Sequence, residues 1–239
     1  VDLLEDRERN LLFALSIFAG AFTMDAAVAV FGSAQARDMI HRLVQQSVVS
    51  YVPTKDASRY KLLEPIRQFC ERQLEDVQVT KLAERHAEWF AAETTKNGKK
   101  LRGPLETEAS RALTADWVDI GRALAWGRIN SRADLAIDPL LAVHIHLLWQ
   151  LRIEGFAWLE AGIAACGLTD ERQQDANLVR AMGSWSAGDL ETSETLLETS
   201  VKGHAETVAT EYFRFYQAFA REDFAKVCAA AEAAWVRAE

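Results

Sequence analysis

Histidines, paired carboxylates, basic residues and aromatics are the side chains of this 239-residue sequence that could do chemistry, and their spacing limits what that chemistry is. The five histidines are scattered, and the one close pair, His144 and His146, stands two residues apart on an expected helix. At about 100° per residue the two rings project some 200° apart, so they do not share a metal ion. Carboxylate pairs such as Glu191 with Glu194, or Glu206 with Glu211, read as solvated helix faces in a chain that is 26% charged. The phosphate-cradling spacings GxxxxGK[ST] and GxGxxG are absent, as are the zinc motif HExxH and the nucleophile motif GxSxG. Cys70, Cys166 and Cys228 lie far apart, form no CxxC and are odd in number, which supports neither a disulfide framework nor a zinc site and suits a reducing cytosol. No catalytic residue, cofactor-binding residue or metal ligand is therefore expected in this chain, and no enzyme.

Two groups of residues point instead to binding. Arg37, Arg42, Lys55 and Arg59 are the positions that would touch DNA, with Asp38 and Asp56 set among them. Several phosphate contacts are needed for useful affinity at physiological salt, and this count argues against DNA contact. The formal charge of −8 is spread along the chain, with 9 Lys+Arg against 11 Asp+Glu over residues 1–80 and 18 against 24 over residues 81–239. The second group is aromatic. Trp149, Trp185 and Tyr212, with Arg152, are the candidates for a partner groove, although aromatics at helical spacing mostly pack between helices.

Few residues punctuate the chain, 12 Gly and 4 Pro, and Ala, Leu, Glu and Arg fill the stretches between them, which predicts helix nearly throughout. Leu11, Leu12, Leu15 and Phe18 recur at helical spacing, and the segment is too short and too acidic in its approach for a membrane span or a signal peptide. Thr23 caps a helix over 24–31 that Gly32 ends, and Ser33 caps a third over 34–46 with Met39, Ile40, Leu43 and Val44 inward. Residues 48–52 and 59–63 are β-prone runs around the turn-rich 53–58, a hairpin whose period-two pattern places Tyr60 and Leu62 on one face and Arg59 and Lys61 on the other. Pro65 opens a further helix that turns Ile66, Phe69, Cys70 and Leu74 inward. Helix, helix, helix, hairpin is the order of a winged helix.

Beyond residue 79 the pattern is helical only, and the chain superposes on itself at a period of 34 residues. Leu148, Met182 and Tyr216 fall in one column, Leu151, Trp185 and Phe219 in another, and the breaks at 154–156, 188–190 and 222–224 in a third. The tetratricopeptide repeat has this period, but its usual Trp-x-x-Leu-Gly opening is missing. The organisation expected is mainly α: a winged helix with one β-hairpin over 1–78, connecting helices over 79–130, and about three TPR-like helical repeats over 131–239. Neither Val1 nor the helical segment 229–239 resembles a natural terminus, so a piece of a longer protein is expected, its last repeat cut short.

Four ordered segments resemble one bacterial family: Leu15-Ser16-Ile17-Phe18-Ala19-Gly20-Ala21-Phe22-Thr23, Leu43-Val44-Gln45-Gln46-Ser47-Val48-Val49, Arg59-Tyr60-Lys61-Leu62-Leu63-Glu64-Pro65-Ile66-Arg67-Gln68-Phe69, and Arg85-His86-Ala87-Glu88-Trp89-Phe90. A weaker echo follows at Asp119-Ile120-Gly121-Arg122-Ala123-Leu124. The family is that of the large STAND-type signalling ATPases, many of them LuxR-type or SARP-like transcriptional regulators. The resemblance implies an upstream ATPase domain that binds ATP or ADP, a winged helix packed against it as a regulatory lid, and helical repeats that sense a protein, peptide or ligand. In that family a Met-His-Asp motif contacts the bound diphosphate. Here Leu62-Leu63-Glu64 stands in its place, and Leu63 can neither donate to a phosphate nor titrate, so Glu64 reads as a helix cap instead.

The function expected is thus a cytoplasmic, non-catalytic regulatory and protein-interaction segment with no membrane contact. The alternative is a DNA-binding winged-helix transcription factor domain with a helical sensing tail.

Overall fold

Apolar residues at helical spacing dictate the first element. Leu11, Leu12 and Leu15 line the buried face of α1 (Asp6–Leu15), and Phe18 and Phe22 follow them into the core, stacked with ring centroids 4.5 Å apart. The computed structural model describes residues 5–74, 76–202 and 207–238.

The second helix, α2 (Met24–Phe31), lies where its caps predict. Thr23 Oγ1 accepts the Ala26 N–H at 3.2 Å, and Gly32 ends the helix in the left-handed region at φ 78°. A side chain at Gly32 would be strained by that backbone conformation, and the Arg85 guanidinium, 2.8 Å from where its Cβ would stand, would have to move aside. The third, α3 (Ala36–Gln45), starts two residues later than expected. Ser33 begins a turn, in which its carbonyl accepts the Ala36 N–H at 3.1 Å, and the helix has no side-chain cap.

The hairpin consists of β2 (Val49–Val52) and β3 (Arg59–Leu62), antiparallel, with Val49 opposite Leu62 and Val52 opposite Arg59. A third strand that the sequence did not announce, β1 (Phe22–Thr23), pairs with the other edge of β3, so the order is β1-β3-β2. This makes β3 central, and it corrects the expected alternation. Tyr60 and Leu62 are buried and Lys61 is exposed, but Arg59 is buried as well, at 6% exposure. Its guanidinium is taken up by Asp116 from a helix packed over that end of the sheet.

Leu63 is the N-cap residue of α4 (Glu64–Glu71), with Pro65 in the first turn. Glu64, expected as the cap, is instead the first helical residue. The helix packs on α1 through Cys70, while Phe69, about 100° round the axis from it, is 46% exposed rather than inward.

Two long helices, α5 (Asp76–Gly98) and α6 (Glu106–Ile129), pack along each other, and α5 also packs on α2. The short helices α7 (Ala133–Ala136) and α8 (Asp138–Ala142) close on them at glycines. A Cβ on Gly98 would lie 2.5 Å from the Ala142 carbonyl oxygen, and one on Gly127 2.8 Å from Leu135 Cβ. All of these elements share one compact unit, Val1–Val143, with the winged helix, and His144–Glu239 form a second.

In the second unit helices pair by a recurring turn. They are α9 (His144–Trp149), α10 (Ile153–Cys166), α11 (Asp170–Ser186), α12 (Leu190–Val201), α13 (Val208–Ala220) and α14 (Phe224–Ala238). Gly188 and Glu222, 34 residues apart, both take positive φ, 84° and 56°. The next amide then donates to Ser184 O at 2.9 Å in one turn and to Ala218 O at 3.0 Å in the other. Asp189 and Asp223 cap the helices that follow by accepting from Thr192 N and Lys226 N. Within this unit the same turn also occurs at Leu151 (φ 51°), with Arg152 N donating to Leu147 O at 2.9 Å. That places the first turn three residues before the expected break at 154–156. Gly155 belongs inside α10, where a Cβ would meet Leu147 Cδ2 at 2.5 Å.

Candidate nucleic-acid interface

The surface that a winged helix would turn to DNA is built by α3 and the hairpin. Met39, Ile40 and Leu43 anchor α3 to the core, and this leaves Arg37, Asp38, His41, Arg42 and Gln45 exposed. Both arginines already hold carboxylates. Arg37 pairs with Asp25 of α2, and Arg42 Nε lies 2.5 Å from Glu8 Oε1 of α1, a carboxylate almost wholly buried. The Glu8 bond raises the Arg42 pKa above its ordinary value.

At the wing, Thr54 Oγ1 accepts the Ala57 N–H at 3.2 Å, and Lys55 and Lys61 are exposed. Asp56 is held by both nitrogens of an Arg111 fork, each at 2.6 Å, which lowers its carboxyl below the usual range. The wing tip is therefore fastened to α6. So is its base: Arg59 Nη1 donates to Ala21 O at 2.8 Å and meets Asp116 Oδ1 at 2.5 Å. Burial pushes the Asp116 carboxyl up, and Arg59 opposes that shift. Of the four residues expected to touch DNA, Arg37, Arg42 and Lys55 are on the surface and Arg59 is removed from it.

One turn of α6 further along, Asp119 is 2% exposed and serves three donors. Its carboxylate accepts Ala19 N–H at 2.8 Å and Gly20 N–H at 3.0 Å, and the His86 Nε2 of α5 lies 2.9 Å from Oδ1. Arg122 reaches Ile17 O at 3.0 Å, and Arg85 reaches Phe31 O at 3.2 Å. Asp116, Asp119, His86 and Arg111 were not among the residues expected from the sequence to act. Their signal was present: two aspartates three residues apart lie on α6 beside Trp117, Ile120 and Ala123, all buried, so one polar pair stands in an apolar stripe.

Glu64 hydrogen-bonds Arg67 and Gln68 on its own helix, which lowers its carboxyl to about 2, while Leu63 is exposed. In the second unit the expected groove residues are partly assembled. Trp149 meets Tyr212 with ring centroids 6.5 Å apart, Trp185 meets Tyr216 at 6.4 Å, and Arg152 lies 3.8 Å from Glu154. A cavity of 380 Å³ between α12, α13 and α14 is lined by Glu194, Glu198, Glu211, Arg214, Arg221 and Lys226, among others, and Glu194 and Arg221 pair across it at 2.7 Å. Among the described residues no cluster of three metal-ligating side chains occurs, and no helix is long and apolar enough to cross a membrane.

Three helices, a three-stranded antiparallel sheet and a wing make the first part of the chain a winged helix-turn-helix domain, and residues 4–75 match the family model of that description. Over 218 residues the chain is 25% identical to proteins of Mycobacterium tuberculosis and Mycobacterium bovis provisionally named HTH-type transcriptional regulators. The alignment takes in 87% of this chain and 24% of each relative, so the chain spans about a quarter of their length. No solved structure matches.

Proposed function

We propose that this chain is the winged-helix and helical-array portion of a transcriptional regulator, with α3 and the wing turned to duplex DNA and the array as a sensing tail. The match of residues 4–75 to a winged helix-turn-helix domain carries this reading, and the names of the relatives support it. Arg37, His41, Arg42 and Gln45 on the open face of α3 are residue types that read bases and phosphates. Binding through them is weak, because Arg37 and Arg42 must exchange Asp25 and Glu8 for phosphates. With Arg37, Arg42, Lys55 and Lys61 all engaged, the slope of log K against log salt is about −3.6 at its steepest.

Fluorescence anisotropy with duplex DNA between about 50 and 200 mM salt tests this. Binding that weakens with salt, and loses about one unit of slope on Arg42→Ala, is expected. No binding at the lowest salt by a folded chain would sink it.

A second reading is favoured by the same ion pairs and by the exposed apolar residues Leu63, at the start of α4, and Phe69, within it. In it the winged helix relays the state of an upstream nucleotide-binding domain, and α4 is a protein-facing surface. Absence of DNA binding, with association of that domain lost on Phe69→Glu, selects this reading.

A further inference from the structure

The helix α13 buries Thr210, Glu211, Phe213 and Ala218, and its opposite side is aromatic: Tyr212, Phe215, Tyr216 and Phe219 stand at the i, i+3, i+4, i+7 positions where an amphipathic helix turns charge to water. Phe219 is 60% and Tyr212 41% exposed. The rings form a continuous series. Tyr212 meets Tyr216 at 5.2 Å and 82°, Phe215 stacks on Phe219 at 6.3 Å, and Trp149 of α9 and Trp185 of α11 join at either side. Three helices of the unit thus contribute to one exposed aromatic surface, the kind of patch that marks a binding site.

The charge of the unit identifies the occupant. Residues 144–239 hold 8 Lys+Arg against 15 Asp+Glu, a net of −7, whereas residues 1–143 hold 19 against 20. Nearly all of the chain's net negative charge therefore belongs to the unit with the aromatic surface. Two of the unit's basic side chains lie against carboxylates, Arg221 at 2.7 Å from Glu194 and Arg152 at 3.8 Å from Glu154. Rings with faces open to solvent in an acidic field suit a cation, which seats over ring faces while carboxylates draw it in. Nucleic acid also stacks on aromatics, but a field of this sign repels its phosphates.

We propose that the aromatic surface formed by Trp149, Trp185, Tyr212, Phe215, Tyr216 and Phe219 binds a basic peptide segment, with Lys or Arg side chains over the Tyr and Trp rings. The proposal does not rest on DNA binding by the first unit.

Tryptophan fluorescence and calorimetric titration of the 239-residue chain, with a short unstructured peptide of alternating Arg and Ser, tests the proposal. Saturable binding is expected, weakened roughly tenfold by the double change Tyr212→Ala and Tyr216→Ala. Tyr212→Phe with Tyr216→Phe keeps the rings and retains it, and circular dichroism shows that each variant is folded. The proposal is overturned by absence of binding, by equal binding of the Glu-for-Arg peptide, or by preferential binding of oligo-thymidine. Binding that the alanine variant leaves unchanged also overturns it, since attraction to bulk negative charge then suffices.

Discussion

Burial acts on Asp116 and His146 with one cause and opposite signs, raising the carboxyl of the first and lowering the imidazole of the second to about 4. For His146 the nearby Arg152 adds to the shift. The folded chain therefore keeps His146 neutral down to about pH 4, while the unfolded chain takes up a proton near pH 6.5. Between those values the unfolded state binds more protons, so stability is full above about pH 6.5 and falls as the pH is lowered towards 4. The slope is at most about 1.4 kcal/mol per pH unit. Urea unfolding followed between about pH 7 and pH 5, above the ordinary carboxylate range, is expected to show this decline, and His146→Met to flatten it. An unchanged slope in the variant would remove His146 as its source. The sequence placed His146 on a helix and excluded a shared metal site with His144, but it could not show the burial that sets the pKa. Arg59 is the parallel case. Alternation along a strand gives the face, and only the helix lying over that face makes it interior.

At the scale of elements, α6 governs the winged helix through single side chains. Asp119 holds the turn after α1 by two backbone amides and holds α5 by His86, so the entry to β1 and the packing of both long helices depend on one carboxylate. Asp119→Ala leaves two part-buried amides and a buried imidazole without that acceptor, and is expected to destabilise the first unit by about 3 kcal/mol. Asp119→Asn, which keeps one oxygen acceptor, costs less. Thermal unfolding checks the order; an alanine variant as stable as the parent would show that these groups find water instead. Helices such as α1 and α2 were legible, because 3.6-residue periodicity and caps such as Thr23 and Gly32 are local signals. The strand β1, two residues long, has no period to read and exists only through its pairing with β3. Gly155 misled for a related reason: a glycine can mark a break or a close contact, and here the neighbour is Leu147 rather than a turn.

For the molecule as a whole, charge and apolar surface are unevenly shared. The net −7 of residues 144–239 keeps copies apart, yet α14 of that unit exposes Phe224 and Trp235, eleven residues apart and so on one side of the helix, together with Val236. Trp235 alone is 71% exposed. The two effects oppose each other, and salt decides between them, because it screens repulsion at a distance while leaving apolar burial intact. Self-association is therefore expected, stronger at about 0.5 M salt than at about 0.05 M, where the screening length is several times longer. Sedimentation velocity over a series of concentrations reads it directly. Trp235→Glu, which adds charge and removes the largest ring from the face, is expected to leave the chain monomeric under both conditions. Association that persists in the variant, or that weakens with salt, would place the contact on a charged surface elsewhere.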